Sequence, residues 1–273
     1  MSSVAFTGGS IVAFYAVGSL IVATGAWLFM VDWTVLAQGQ APQLGMLVIT
    51  MLAAGSINAL GQLLIVSTMR RGHKGVSWAI SQTAMVIPFL ASVIIWREAT
   101  PLHRWFGIAL LVTAIMLMGF RRRNKRELSS DPAWFGLALL TLLVIGTGQT
   151  VLGIPSRWDG WTDAARLRIP LFITAGATVH CIAVYTGRQR IEKRLVRMAA
   201  MWAVLAVGAY GTLFKCLDVM AGMELAGIVF PIGVGTCIIG FSLYSCLHLR
   251  EHFSVAIFAG LALAVVSIAL IAL

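Results

Sequence analysis

Residues 97–119, REATPLHRWFGIALLVTAIMLMG, and residues 250–272, REHFSVAIFAGLALAVVSIALIA, are two versions of one pattern. Each begins with an Arg-Glu pair, has a glycine nine residues after the glutamate, and ends in an apolar stretch. Apolar composition alone makes helices look alike, but it does not place a charged pair and a glycine in the same register. The two stretches therefore indicate an internal repeat with an offset of 153 residues.

The apolar parts of both copies have the length of a membrane-spanning helix, which needs about 20 mostly apolar residues. The whole chain shares this character, because 59% of its 273 residues are hydrophobic, 11% are charged and the mean hydropathy is +0.92. Soluble domains carry about 25% charged residues, so this composition excludes a soluble domain. The segments also lack the two-residue alternation of barrel strands. We predict an all-α polytopic membrane helix bundle with about nine spans, at residues 10–31, 46–69, 75–96, 103–120, 133–153, 168–187, 199–219, 225–248 and 253–273.

The positive charges predict the orientation of these spans. Fourteen of the 20 Lys and Arg residues fall in alternate connections, which are cytoplasmic by the positive-inside rule. The N-terminus is then inside and the C-terminus outside. Residues 121–132, RRRNKRELSSDP, form a basic cytoplasmic loop between a first repeat of four helices (1–120) and a second repeat of five (133–273). The two copies of the pattern run in opposite directions, so the predicted repeats are inverted.

The net charge of +10 belongs to these short loops and does not indicate a nucleic-acid partner. The first apolar segment lacks a basic region before it and is long enough to span, so we interpret it as a transmembrane helix and not as a signal peptide. The expected location is the inner (plasma) membrane of the cell, as a multi-pass protein.

Residues 75–119 and 224–273 share a proline-containing helix, an acidic residue at its end, and a following helix that opens with glycine. These features are carried by Pro88 and Pro231, Glu98 and Glu251, and Gly107 and Gly260, of which only the prolines are out of register. In this respect the chain resembles the drug/metabolite transporter superfamily, the EamA-type inverted-repeat carriers. The predicted gating residues are Pro88, Glu98, Pro231 and Glu251, and the missing N–H of Pro88 predicts a kink in its helix. Members with this repeat typically have ten helices in two sets of five, whereas the first half of this sequence predicts four.

Polar side chains inside the predicted spans are candidates for a solute site, because intramembrane polar groups are costly and often functional. Asn58 and Gln62 are four residues apart and stack on one helical face. His180 is the only histidine deep in a predicted span, where an imidazole can bind a solute or carry a proton. Helix packing is the alternative role for each of these groups. The predicted substrate-binding residues are Asn58, Gln62, Gln82, Gln149, His180, Tyr210 and Lys215.

Lys215 lies near the outer end of the seventh predicted span and has two interpretations. In the first, it pairs with Asp218 three residues later or extends to the interface; in the second, it meets an anionic solute at the outer mouth. All ten carboxylates fall in loops or at helix ends, and the four cysteines lack metal-ligand spacing. We therefore expect no catalytic residues, no metal and no cofactor.

Inverted repeats are typical of secondary transporters, because two antiparallel halves open one site to opposite sides in two conformations of similar energy. The leading hypothesis is a secondary carrier for a small polar, neutral or zwitterionic metabolite. The alternatives are an intramembrane lipid-modifying enzyme and a non-transporting accessory membrane subunit. The sequence has no HExxH, GxSxG or Walker motif, which disfavours an enzyme. The expected partners are the solute and the lipid bilayer, and a homodimer is left open.

Overall fold

The computed structural model describes residues 8–31, 33, 44–71, 74–120, 133–158, 166–189, 191–248 and 255–273. In these residues every regular element is a helix and no strand occurs, so the predicted all-α class is confirmed. The α-helices are α1 (Gly8–Phe29), α2 (Leu44–Arg71), α3 (Lys74–Gln82), α4 (Val86–Ile94), α5 (Leu102–Phe120), α6 (Ala133–Gly153), α7 (Arg168–Thr186), α8 (Lys193–Gly222), α9 (Val229–His248) and α10 (Val255–Ala272). The predicted loop 121–132 and the predicted gating residue Glu251 lie outside the described residues.

Six helical stretches among the described residues are long and apolar enough to cross a membrane: Ile11–Phe29, Leu44–Arg71, Val76–Ile94, Ala133–Arg157, Arg168–Thr186 and Lys193–Gly222. Three shorter apolar helices, Leu102–Met118, Ala226–Gly240 and Phe258–Ala272, coincide with the remaining predicted segments. The helices thus have the length and composition of a membrane protein. The number of nine spans remains a prediction.

Pro88 accompanies a change of helix type in the third predicted segment. A proline has no backbone N–H, so the carbonyl four residues earlier, that of Ala84, loses its helical partner. The structure has a 3-10 turn at Thr83–Met85 in place of a continuous α-helix between α3 and α4. Gly146 of α6 packs against this point, where a Cβ would lie 2.8 Å from the carbonyl oxygen of Ala84. The break predicted from Pro88 is therefore present, and a glycine packs against it.

The chain divides into two compact units, and each unit takes helices from both halves of the sequence. Unit 1 comprises Met1–Val66 and Val151–Val219, which include α1, α7 and most of α2 and α8. Unit 2 comprises Ser67–Thr150 and Met220–Leu273, which include α3, α4, α5, α9, α10 and most of α6. The units do not coincide with the two predicted sequence repeats, because each is held together by contacts between the two halves.

In unit 1, helices α1 and α7 pack antiparallel to each other. Ser19 of α1 contacts His180 of α7. Further along α1, Trp27 Nε1 donates to Thr174 Oγ1 over 2.8 Å, at an earlier position in α7. The later residue of α1 therefore contacts the earlier residue of α7, as expected for antiparallel helices. Two polar contacts, not only apolar packing, fix the register of this pair.

In unit 2, helices α5 and α10 also pack antiparallel. Gly107 near the start of α5 lies against Ile271 near the end of α10, where a Cβ would be 2.7 Å from Ile271 Cγ1. Gly260 near the start of α10 lies against Met118 near the end of α5. The absence of a side chain at each glycine lets the two helices approach closely at both ends of their contact.

Candidate functional site

A small cavity lies within unit 1, about halfway along its helices. Asn58, His180 and Tyr210 are 12 to 14 residues from the helix ends at Leu44, Arg168 and Gly222, which is about 18 to 21 Å at 1.5 Å per residue. The empty volume is about 260 Å³ up to the open side, and the centre has room for about one water molecule. The lining residues are Ser19, Gly55, Asn58, Gln62, Phe172, Ile173, Gly176, His180, Trp202 and Tyr210.

Helical spacing and one glycine bring these residues together. In α2, Gly55, Asn58 and Gln62 are separated by three and four residues and share one face. Gly55 lets the backbone of α2 touch the carbonyl of Phe172 in α7, because any Cβ at this position would overlap that oxygen. The close approach brings the amides of α2 to the same cavity as His180, two turns further along α7.

His180 is 3% exposed, and its hydrogen bonds determine which ring nitrogen carries the proton. Its Nδ1 lies 3.4 Å from Ser19 Oγ, and the Ser19 hydroxyl donates to the carbonyl of Tyr15. A hydroxyl has one hydrogen to donate, so the contact with His180 requires Nδ1–H as the donor. In neutral His180 the other nitrogen, Nε2, is then an acceptor. Nε2 is buried and has no hydrogen-bond partner among the described residues.

Gln62 supplies a second unpaired acceptor in the same cavity. Its Oε1 is buried and has no partner in the described part of the chain. The neighbouring amide of Asn58, by contrast, lies close enough to the hydroxyl of Tyr210 to interact with it. A buried polar group without a partner costs about 1 to 3 kcal/mol. Two residues that line the cavity, His180 and Gln62, therefore each carry a buried acceptor, Nε2 and Oε1, whose hydrogen-bonding capacity is unused among the described residues.

Aromatic rings form much of the remaining wall. Phe172 and Tyr210 meet edge to face with ring centroids 5.1 Å apart. The ring of Tyr15 stacks on His180 at 5.5 Å and holds the imidazole plane from one side. Trp202 lines the cavity and meets Tyr15 edge to face at 6.1 Å. The site thus combines rigid apolar surfaces with a small number of polar atoms, as small-molecule sites generally do.

The predicted substrate-binding residues divide into three groups. Asn58, Gln62, His180 and Tyr210 line the one cavity of unit 1 described above. Gln82 and Gln149 belong to unit 2 and are not among its lining residues. The side chain of Lys215 is exposed, and Asp218, its expected local partner, pairs instead with Arg168. The arginine is the better partner because its guanidinium is fixed by two further acceptors.

Sequence reasoning did not identify Ser19, Trp202 or Phe172 as parts of the site. A serine or an aromatic residue within an apolar segment has no distinguishing pattern, because both occur throughout membrane helices. The one available signal for Ser19 was its spacing of four residues from Tyr15, which allows a side chain to bond the preceding turn. This spacing does not predict a contact with His180.

The predicted gating residue Glu98 has a defined structural role in unit 2. Helix α4 ends in a turn in which the N–H of Glu98 bonds the carbonyl of Ser92, with Arg97 in the left-handed region at φ 54°. This turn directs the carboxylate to the start of α9, where Glu98 Oε2 accepts from the N–H of Gly227 over 2.9 Å. Glu98 therefore caps the N-terminus of the helical segment that leads into α9.

Both predicted gating prolines are the third residue of an α-helix that directly follows a three-residue 3-10 turn. Pro88 lies beside the 3-10 break described above. Pro231 is the third residue of α9, which follows the 3-10 turn Ala226–Ile228 as α4 follows Thr83–Met85. The two sites differ in what precedes the turn: α3 ends at Gln82, directly before the first turn, whereas residues 223–225 before the second turn are not helical.

Comparison with known proteins shows a shared fold. No protein-family model matches this sequence, and no curated protein matches it significantly. A solved structure described only as "Crystal structure of protein" aligns over 98% of this chain and 88% of its own, with a TM-score of 0.65 and 13% sequence identity. A likeness at this level of identity shows a shared fold and carries no information about function.

Proposed function

We propose that the protein is a secondary membrane transporter that moves a small polar metabolite by alternating access through the cavity of unit 1. The observation that carries the proposal is the pair of buried acceptors, His180 Nε2 and Gln62 Oε1, in one cavity midway along apolar helices. Each unpaired group costs on the order of 1 to 3 kcal/mol, which a bound solute or water offsets. Polar groups midway along membrane-spanning helices lower stability, and they are often part of a solute path.

Reciprocal contacts between α5 and α10 support inverted repeats. A Cβ at Gly107 would lie 3.0 Å from the carbonyl oxygen of Ser267, and a Cβ at Gly260 would lie 3.1 Å from that of Ala114. The offset of 153 relates Gly107 to Gly260 and also Ala114 to Ser267. A contact that maps onto itself in this way is what a two-fold axis between equivalent elements produces. Because α5 and α10 are antiparallel, the axis is perpendicular to them, as in inverted-repeat transporters.

The helix order gives a simple route to this inversion. Among the described residues, four helical segments precede α6, if α3 and α4 are counted as one, and four follow it. With α6 as a single additional crossing, the second set of four starts on the opposite side of the membrane from the first. This scheme keeps the N-terminus inside and the C-terminus outside, as the charge pattern predicts. It also accounts for a first half with only four helices.

The test is solute counterflow in proteoliposomes that contain the purified protein, with a panel of amino acids, sugars, amides and organic anions. We expect at least one solute to exchange. We also expect Gln62→Met and His180→Phe to reduce that exchange by about tenfold or more, because each removes one acceptor worth on the order of 1.4 kcal/mol or more. Leu60→Met, a half-exposed position on the same helix that does not line the cavity, is the matched control and should exchange normally.

Two results would contradict the proposal. If no solute of the panel exchanges while the protein is folded, transport is rejected and an accessory membrane subunit becomes the better hypothesis. If exchange occurs but both cavity variants retain the full rate, the solute path lies elsewhere in the molecule.

A further inference from the structure

We infer that the cavity of unit 1 selects uncharged solutes that offer at least two hydrogen-bond donors, of which primary carboxamides are the simplest class. The inference rests on the proposed function and adds the chemistry of the solute. It comes from the identity of the two unpaired atoms, which are both acceptors.

The first acceptor follows from the hydrogen bonds of α1. Ser19 gives its only hydroxyl hydrogen to the Tyr15 carbonyl, so it accepts from His180 Nδ1. Neutral His180, which lines the cavity, then carries an unpaired lone pair on its buried Nε2. The second acceptor, Gln62 Oε1, is a carbonyl oxygen and cannot donate under any protonation state. A complementary solute must bring its own N–H or O–H groups to both atoms.

The charge of the lining excludes anions. None of the lining residues, all of which are described, is an Asp, Glu, Lys or Arg. A carboxylate entering this site would lose its hydration, face two lone pairs and meet no cation, and burial of an unpaired charge is costly. An ammonium ion would find the two acceptors but no carboxylate to balance its charge. An uncharged N–H donor avoids both costs.

A set of probes with one phenyl ring and different head groups isolates this chemistry. Benzamide carries two amide N–H donors and no charge. Benzoate has the same shape and a negative charge, benzylamine is a cation at neutral pH, and N,N-dimethylbenzamide is uncharged but has no donor. Nicotinamide and nicotinate repeat the comparison of amide and acid on a different ring.

Binding is measured on the purified full-length protein as the rise in unfolding temperature at equal probe concentration, since a ligand of the native state stabilises it. We expect stabilisation by benzamide and nicotinamide, little by N,N-dimethylbenzamide, and none by benzoate or nicotinate. Gln62→Met should weaken amide binding by about tenfold. Gln62→Glu, which keeps an acceptor and adds a negative charge, should shift the preference toward benzylamine. Leu60→Met should behave as the wild type.

The same probes are then used as counterflow solutes, so that the two proposals fail separately. Amide binding without exchange would reject transport and leave the solute chemistry standing. Exchange of benzoate, or of benzylamine by the unmodified protein, in preference to benzamide would overturn the inference and leave transport standing. Absence of stabilisation by both amides would overturn the inference directly.

Discussion

Arg168 and Asp218 form an ion pair in which Arg168 Nη1 donates to Asp218 Oδ1 over 2.6 Å, although the arginine is 1% exposed and the aspartate 32%. Arg168 Nη2 also donates to Ser156 Oγ at 2.9 Å and to the carbonyl of Leu152 at 3.2 Å. The guanidinium carbon lies 4.2 Å from the ring centre of Phe214. A residue that begins an apolar helix is thus the largest fully buried side chain among the described residues of unit 1, and its position depends on contacts from α6 and α8.

The first prediction concerns this ion pair. Asp218→Asn should lower the free energy of unfolding by roughly 2 to 3 kcal/mol, because it removes the negative charge that Arg168 Nη1 contacts in a buried ion pair. Arg168→Met should have a smaller effect, since its loss leaves only a partly exposed carboxylate. The double variant should be less destabilised than the sum of the two single variants, because both substitutions remove the same Arg168–Asp218 interaction. Unfolding of each protein in detergent by chemical denaturant gives the three values.

Lys215 provides the control for that experiment. It lies three residues before Asp218 on the same helix, and its side chain is exposed. Lys215→Met should change the free energy of unfolding by less than about 0.5 kcal/mol. A loss equal to that of Asp218→Asn would show that Lys215 contributes to the pair. Loss of solute exchange without loss of stability would favour the interpretation that Lys215 meets the solute at the outer mouth.

The second prediction concerns the cap of α9. Glu98→Leu should destabilise unit 2 by about 1 kcal/mol, because it removes the acceptor of the Gly227 N–H together with a negative charge at a helix N-terminus. Glu98→Gln keeps an oxygen at this position and should lose less than half of that amount. The order of the two variants is measured by thermal unfolding in detergent.

The matched control for the cap is Glu224→Gln, an exposed carboxylate three residues before Gly227. It should have almost no effect on unfolding. Equal losses of stability from Glu98→Leu and Glu224→Gln would mean that any negative charge near this helix end is sufficient. The hydrogen bond from the Gly227 N–H to Glu98 would then contribute nothing measurable. The sequence also predicts that Glu251 is the equivalent of Glu98, so Glu251→Leu should show a similar loss.

The positions of the helices were predictable because membrane helices are read directly from apolar length. The second predicted span, 46–69, lies within α2, which runs from Leu44 to Arg71. The pattern of charges beyond the helix ends added an expected orientation. Hydropathy carries no information on which helices pack together, so the division into two units that mix both halves was not accessible from the sequence.

The candidate site was predictable in part for a similar reason. Intramembrane amides and histidines are rare, so Asn58, Gln62 and His180 stood out, and the structure brings all three to one cavity. Arg168 was not recognised, because an arginine at the start of an apolar segment has the pattern of an interfacial anchor. Its burial depends on Asp218, 50 residues later in the chain, and a single sequence contains no signal for that pairing.

The third prediction concerns the glycines between α5 and α10. Gly107→Ala should destabilise the protein by about 1 to 3 kcal/mol, because the new Cβ would lie 2.7 Å from Cγ1 of the β-branched Ile271 and 3.0 Å from the carbonyl oxygen of Ser267. Gly260→Ala should cost less, since its nearest neighbour at 2.6 Å is Cγ of the flexible Met118. Unfolding temperatures in detergent test this order.

A glycine in open surroundings separates packing from helix propensity. At Gly136 of α6, a Cβ would meet no atom of the described residues within 4 Å, so Gly136→Ala should be neutral or stabilise by up to about 1 kcal/mol. If Gly107→Ala were also neutral, α5 and α10 would be able to move apart and admit the new Cβ without a loss of stability. The reciprocal packing would then lose its value as support for a two-fold axis.

The fourth prediction concerns Ser19 as a positioning residue for His180. Ser19 accepts from His180 Nδ1 because its own hydrogen is committed to Tyr15. In Ser19→Ala the imidazole loses the partner that selects the Nδ1–H tautomer, so a fraction of the molecules should carry the proton on Nε2. Nε2 would then be a donor, and an amide solute would lose one of its two acceptors. We expect amide binding to weaken by up to about tenfold, with little change in the unfolding temperature of the unliganded protein.

Nitrogen NMR of labelled histidine in the purified protein distinguishes the tautomer from a general loss of packing, because the two ring nitrogens have different chemical shifts when protonated and unprotonated. The wild type should show a protonated Nδ1 and an unprotonated Nε2 for His180, whereas Ser19→Ala should show a mixture. Ser19→Thr keeps a hydroxyl that can make the same bond to the preceding turn, so it should retain both the wild-type spectrum and amide binding. A wild-type His180 with its proton on Nε2 would reverse the assignment of that atom as an acceptor, and the preference for donor-bearing solutes would then have to come from Gln62 alone.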